Sequence, residues 1–291
     1  MLETIISPKK AERKPWEMFL IGFIYATLAI FISNFLFLKN HALEQYTGIF
    51  ILLLTVIFSL PLMYHLIRYE EKKGELIHNE KILIKEHGRA LAALLFLFLG
   101  FVVAFSILYL VLPTDIANLN FQSQIRTFCL INSRGNIEEC IKSITAGSLL
   151  VPNNIKEGMN YVASILATNL AVFFNCLIFS LLFGAGAIFI LAWNASVIAT
   201  AIGIFARKSS FGLFGGFARY MLHGLPEIAG FFVAALAGGI IGIAMIRHRN
   251  NKKQFFHVLH DSIELISLGL VILIFAAFIE VFVTPLIIPL L

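Results

Sequence analysis

Charged residues are what this sequence has least of. Asp, Glu, Lys and Arg make up 13% of its 291 residues, while 59% are hydrophobic. Soluble domains run roughly 45–50% apolar and about 25% charged, so a soluble globular domain is excluded. The basic residues are scattered over short loops, which argues against nucleic acid as a partner. The net charge of +5 is first of all a topology signal. Catalytic signatures are missing as well. No Ser stands in a Gly-x-Ser-x-Gly elbow. Gly212, Gly215 and Gly216 interrupt an aromatic run and lack the Lys of a phosphate loop. His223 and Glu227 do not form the two-His-plus-Glu helix of a zinc protease. The reading is a non-enzyme that needs no cofactor and no metal. No cleavable leader is expected: residues 1–16 are polar and basic, and the apolar run after them is longer than a leader's and lacks a small-residue cleavage pattern.

What the chain does have is long apolar runs. They predict an all-α, polytopic membrane helix bundle with the lipid bilayer as its solvent, because helices satisfy their own backbone groups in lipid. Seven spans of about 20 residues are expected, near Met18–Leu38, Tyr46–Ile67, Ala90–Leu112, Tyr161–Phe183, Ala187–Phe205, Pro226–Ile246 and from Ser262 to Ile288. The chain divides into a basic arm (1–16), an N-terminal helix pair (17–68), a charged linker (69–89) and a five-helix core (90–291) with a long loop at 113–160. Within the linker, Leu76–His87 reads either as a surface-lying amphipathic helix or as a solvated connection. Asp261 through Glu264 suits a capping box opening the last span.

Of the 22 Lys and Arg, 14 fall in the arm, in 68–89 and in 247–253. This bias places the amino terminus and the linker in the cytoplasm and the carboxyl terminus outside a cell membrane. Arg207 and Lys208 sit on the outer side against the trend. In the external loop, Cys129 and Cys140 are candidates for a disulfide, which persists in an oxidising compartment; two free, packed cysteines are the alternative. Cys176 reads as a small packing residue. Asn194-Ala195-Ser196 matches a glycosylation site but falls mid-membrane, which voids it.

Polar residues inside the spans draw attention because they are costly there. Asn169 and Asn175 in the fourth span and Asn194 in the fifth read as interhelical hydrogen bonds, worth roughly 0.6–2 kcal/mol each. Arg219, His223 and Glu227 recur every four residues at the mouth of the sixth span, and Glu280 lies in the outer half of the seventh. These four are candidates to converge as a polar cluster, either functional or an ion pair that fixes the helices. Gly230, Ala234, Gly238 and Gly242 form a small-residue stripe. Its expected neighbours are the fifth or seventh span, with a homodimer through the same stripe as the alternative. His257, His260, Asp261 and Glu264 are read as a solvated helix start rather than a metal site.

The segment His223-Gly224-Leu225-Pro226-Glu227-Ile228, with the Ala/Gly-rich helix to Gly242 and Asn169 and Asn194 in the two spans before it, resembles the signature of the stage II sporulation protein M family. Residues 86–291 fit that family's order of spans, and 1–68 look like an addition. The aromatic stretch Phe211–Tyr220 and Pro226 are most similar to archaeal members. The resemblance implies an integral membrane scaffold: in spore-forming bacteria the namesake recruits cell-wall-degrading enzymes and is not itself a hydrolase. The expected function is therefore a membrane-organising protein that binds membrane or external protein partners. A transporter or channel subunit, with Asn169, Asn194, His223, Glu227 and Glu280 along a polar path, is the rival reading.

Overall fold

The computed structural model describes residues 8–38, 40, 42–76, 80–132, 152, 154–182, 185–208, 212–249 and 251–287. Among them the chain is all helix. A short α1 (Pro8–Arg13) precedes α2 (Pro15–Phe37), which starts with Pro at its first position, where no intrahelical N–H is needed. Then follow α3 (Thr47–Leu76), α4 (Glu80–Val111), α5 (Thr114–Asn120) and α6 (Gln122–Asn132). The remaining helices are α7 (Ile155–Ser180), α8 (Ala185–Lys208), α9 (Gly212–Arg247) and α10 (Lys252–Phe278). A single π-helical turn (Ile279–Val283) and α11 (Thr284–Ile287) complete the described chain. Seven of these segments are long and apolar enough to cross a membrane. The all-α polytopic bundle that the composition calls for is what forms, and the protein is a multi-pass membrane protein.

Three boundaries differ from the sequence reading. The stretch before Pro226 is not outside the sixth helix. It is the first part of one 36-residue helix, α9, that runs straight through the proline. The last span opens ten residues before the expected capping box, at Asn251, whose side chain accepts from the Gln254 N–H at 3.3 Å. Asp261–Glu264 therefore lies inside α10. The described parts of the charged linker are not solvated throughout: α3 and α4 extend past the apolar zone into it and bury Glu70, Glu71 and His87, while Lys72, Lys85 and Arg89 stay exposed; residues 77–79 lie outside the described residues.

The bundle is built around α9, whose most apolar window is 83% buried. Its small residues explain how so many helices reach it. A Cβ on Gly238 or Gly242 would run into the backbone carbonyl of Leu177 or Leu181, so α7 lies against this stripe. Gly230 takes Leu273 of α10 at the same close range, and Gly239 takes Ile67 of α3. The contacts Leu177–Gly238 and Leu181–Gly242 advance together, so α7 and α9 run parallel. The stripe thus packs on the fourth and seventh spans rather than the fifth. All four of its residues are buried within the chain, so it is not a surface for a second copy. An unexpected pair, Gly22 and Gly100, closes α2 onto α4 in the same backbone-to-backbone way. The N-terminal helices are thereby part of the bundle.

The described part of the 113–160 loop folds back on the bundle. In α5 and α6, Phe121 meets Phe105 and Tyr109, and Phe128 meets Tyr220 edge-on at 6.1 Å between ring centroids. Cys129 is buried and disulfide-bonded, while Cys176 is buried and free. Cys140 and residues 133–151 lie outside the described residues.

Candidate functional site

Glu227 sits about 20 residues, or ~30 Å at 1.5 Å per residue, from the α9 end at Arg247. It is therefore deep in the bundle, away from the end that carries most of the Lys and Arg. Asn169 of α7, only 9% exposed, donates its Nδ2–H to Glu227 Oε1. One turn earlier on α9, His223 Nδ1 lies 3.4 Å from Thr284 Oγ1 of α11. Glu280, on the π turn between α10 and α11, is the group whose charge acts on Glu227. Four elements thus converge on one polar site: Asn169, His223, Glu227, Glu280 and Thr284.

The π turn has a local cause. Pro285 lacks an N–H, and its ring clashes with the carbonyl four residues back. The helix widens over Ile279–Val283 just before it, and single π turns of this kind are frequent at functional sites. The π turn carries Glu280 and packs against α9. Pro285 was the signal available in the sequence for this. Thr284 had no such signal, because a lone Thr in an apolar run ordinarily bonds back to its own helix.

Arg219 reaches the cluster only through its charge acting on His223. Its guanidinium lies over the rings of Phe205 and Tyr220, 5.7 and 5.9 Å from their centroids. Among the described residues no ion pair links it to Glu227 or Glu280. The expected structural ion pair is absent there, and the charge of Glu280 acts on Glu227, with an amide and an imidazole as neighbours. Acidic groups that sense each other in apolar surroundings disfavour being charged together, so they have the chemistry to take up a proton. The other intramembrane amides are apart from the site. Asn194 donates to Ile190 O of its own helix at 2.8 Å, and Asn175 stands on the exposed face of α7. His257 pairs with Asp261 at 3.9 Å and His260 with Glu264 at 4.0 Å, each one helical turn apart. No group of three or more metal-ligating side chains is found among the described residues.

A second polar cluster, at the opposite end of the bundle, was not foreseen. Lys73 of α3 is surrounded by Glu12 Oε2 at 2.6 Å, Glu70 Oε1 at 2.7 Å and Glu86 Oε2 at 3.4 Å. His87 Nδ1 lies 2.7 Å from Glu70 Oε2. One residue on, Glu71 is wholly buried between Arg247 and His248, the imidazole Nε2 at 3.1 Å. These contacts tie the arm, α3, α4 and the end of α9 together. Burial, reinforced by the neighbouring Glu70 carboxyl, pushes Glu12 up to about 8 although Lys73 opposes it. Glu12 Oε1 is buried with no donor aimed at it, as suits a carboxyl that itself carries the proton.

Arg207 also finds a reason for its place. It reaches the C-terminal end of α4, donating to Tyr109 O, to Leu112 O at 3.2 Å and to Thr114 Oγ1 at 3.3 Å. A cation there satisfies carbonyls that lack helix partners and complements the helix dipole.

No curated protein and no solved structure matches the chain. A family model described as Stage II sporulation protein M matches residues 92–285. That segment holds α7 to α10 and every residue of the Asn169–Glu227–Glu280 site, and it spans two thirds of the sequence: the chain belongs to the stage II sporulation protein M family.

Proposed function

We propose that this protein is a non-enzymatic membrane scaffold that binds partner proteins in or outside the cell membrane. It stands with its amino terminus in the cytoplasm and its carboxyl terminus outside. The observation that carries the reading is the use made of the family segment's polar residues. Asn169 bonds Glu227 and Thr284 meets His223, each across a helix boundary, which is the behaviour of groups that fix helix register. The family's implied scaffold role supports the same reading by analogy of fold, which alone does not carry function. The test is gentle crosslinking of the tagged chain in native membranes, followed by mass spectrometry. Recovery of the same membrane or external proteins in repeated experiments is expected. Recovery of the chain alone each time overturns the reading.

A second reading rests on a different observation, the acids Glu227 and Glu280 beside a π turn, neither of them in an ion pair among the described residues. In this reading the pair carries protons or small cations across the outer half of the bundle. Flux into liposomes containing the purified chain, abolished by Glu280→Gln in a folded protein, establishes it. Absence of flux under proton and Na⁺ gradients removes it.

A further inference from the structure

A cavity of about 520 Å³ opens at the basic end of the bundle, lined by Lys9, Glu12, Arg13, Tyr69, Glu86 and Arg89. Its size lies within the range of small-molecule sites, ~300–1,000 Å³. Its level in the membrane follows from the elements that form it. Lys9, Glu12 and Arg13 lie on α1, directly before the span that begins at Pro15. Tyr69 is one turn from the end of the span closing at Lys73, and Glu86 and Arg89 open the span that starts at Lys85. Trp16 stands beside the cavity's arm, 55% exposed, as aromatic rings do at the headgroup level. The mouth is thus where the phosphates of a bilayer lie.

The charges decide which ligand fits. Both carboxylates of the lining are engaged. Glu12 contacts Lys73, and Glu86 binds Arg89 at 2.6 Å and approaches Lys73. Lys9 and Arg13 are exposed, and among the described residues neither has an ion-pair or hydrogen-bond partner. Arg89 keeps guanidinium N–H groups beyond the one given to Glu86. Three cations therefore face a wet cavity at headgroup depth with two of them uncommitted. The proton favoured on Glu12 lessens the opposing negative charge.

We infer that this cavity binds the phosphate group of an anionic glycerophospholipid, with Lys9, Arg13 and Arg89 as its ligands. Basic pockets between spans at the cytoplasmic face take anionic headgroups for this reason. The lipid clamps the arm to α3 and α4 from outside as Lys73 does from within.

The test uses the delipidated full chain in non-ionic detergent and native mass spectrometry, with dioleoylphosphatidylglycerol and dioleoylphosphatidylcholine as probes. Retention of phosphatidylglycerol is expected, together with loss of about tenfold or more in the double variant Lys9→Ala/Arg13→Ala. No change is expected in Lys252→Ala/Lys253→Ala, which removes two exposed cations from the same end of the bundle. Millimolar inorganic phosphate separates the sources: displacement of the lipid shows a site for any phosphate, and its persistence shows a site that needs the lipid. Equal loss in both double variants, or retention of phosphatidylcholine as strong as that of phosphatidylglycerol, overturns the proposal. Thermal midpoints check folding, and Arg13→Gln is read in the same way if the double variant melts early.

Discussion

Asn169 and Glu227, 58 residues apart in sequence, are joined by an amide-to-carboxyl hydrogen bond between two parallel spans. Among the described residues no ion pair reaches Glu227, and this bond and the charge of Glu280 act on it. Replacing Asn169 by Leu removes the donor and leaves the carboxyl unpartnered. A loss of about 1–2 kcal/mol follows from intramembrane hydrogen-bond energies and the cost of an unsatisfied polar group. Thermal unfolding in detergent is expected to show Asn169→Leu melting several degrees low. Glu227→Gln, whose amide oxygen still accepts from Asn169, is expected to stay near wild type. Equal midpoints for Asn169→Leu and wild type would show that the bond contributes nothing.

At the other end, Glu71 is fully buried and depends on Arg247 and His248. Removing one partner of a buried ion pair costs about 3–5 kcal/mol. Arg247 is 38% exposed, so solvent screens part of its charge and the cost falls below that range. Arg247→Ala is therefore expected to lower stability by about 1–3 kcal/mol. Arg249→Ala, on an exposed residue two positions away, is expected to change stability by less than about 0.5 kcal/mol. The comparison needs only denaturant titrations of the two variants.

Glu12 predicts a pH dependence of definite sign. Its folded value of about 8 is raised above 4.5, so the folded protein binds the proton more tightly than the unfolded chain does. The stability from this group is complete below about 4.5 and is lost as pH rises through about 8. The groups that face it are Glu70 and Lys73 of α3, with Glu86 and His87 of α4 close by. Melting midpoints of wild type are expected to fall relative to Glu12→Gln between pH 6 and pH 9. Parallel curves for the two proteins over that range would place the proton elsewhere.

Glycines separate packing from propensity. Gly88 lies on an exposed face of α4 with nothing near a built Cβ, whereas Gly238 meets a backbone carbonyl of α7. Gly88→Ala is expected to raise stability by about 0.5–1 kcal/mol through helix propensity. Gly238→Ala is expected to lower it despite the same gain in propensity, because the carbonyl of Leu177 cannot move without its helix. Opposite signs in one melting experiment check both statements.

Seven spans were legible because an apolar run of membrane length has few other uses. The family segment was legible in the spacing of His223, Pro226 and Glu227. The small-residue stripe was legible too, with the seventh span among its expected neighbours, but the fourth was not, since spacing shows that a helix packs closely and not against which neighbour. Glu280 was found as an isolated acid in an apolar run, while the π turn that carries it follows from Pro285 acting at a distance of several residues. For Arg219 periodicity gave the face of His223 and Glu227, and its charge acts on His223, while its guanidinium lies over aromatic rings of α8 and α9 rather than in an ion pair among the described residues. The cluster around Lys73 was read as part of a charged linker, with a surface-lying helix or a solvated connection within it, because a run of alternating charge looks the same whether it faces water or closes on itself. Only the convergence of α1, α3 and α4 makes it a buried network.

That convergence sharpens the topology into a single experiment. The arm, the α3–α4 ends and the Arg247–Lys252 turn meet at one end of the bundle, held by Lys73–Glu12 and Arg247–Glu71. Arg126 of α6 is exposed at the other end, where Arg207 caps α4. The basic end holds most of the Lys and Arg, which favours the cytoplasm for it. Single cysteines at Arg249 and Arg126 then label from opposite sides of sealed cells. A membrane-impermeant maleimide is expected to reach Arg126→Cys in intact cells and Arg249→Cys only after permeabilisation. Labelling from the same side would break the seven-span path between them. Reversed labelling would keep the bundle and invert it, placing the lipid-binding cavity on the outer leaflet.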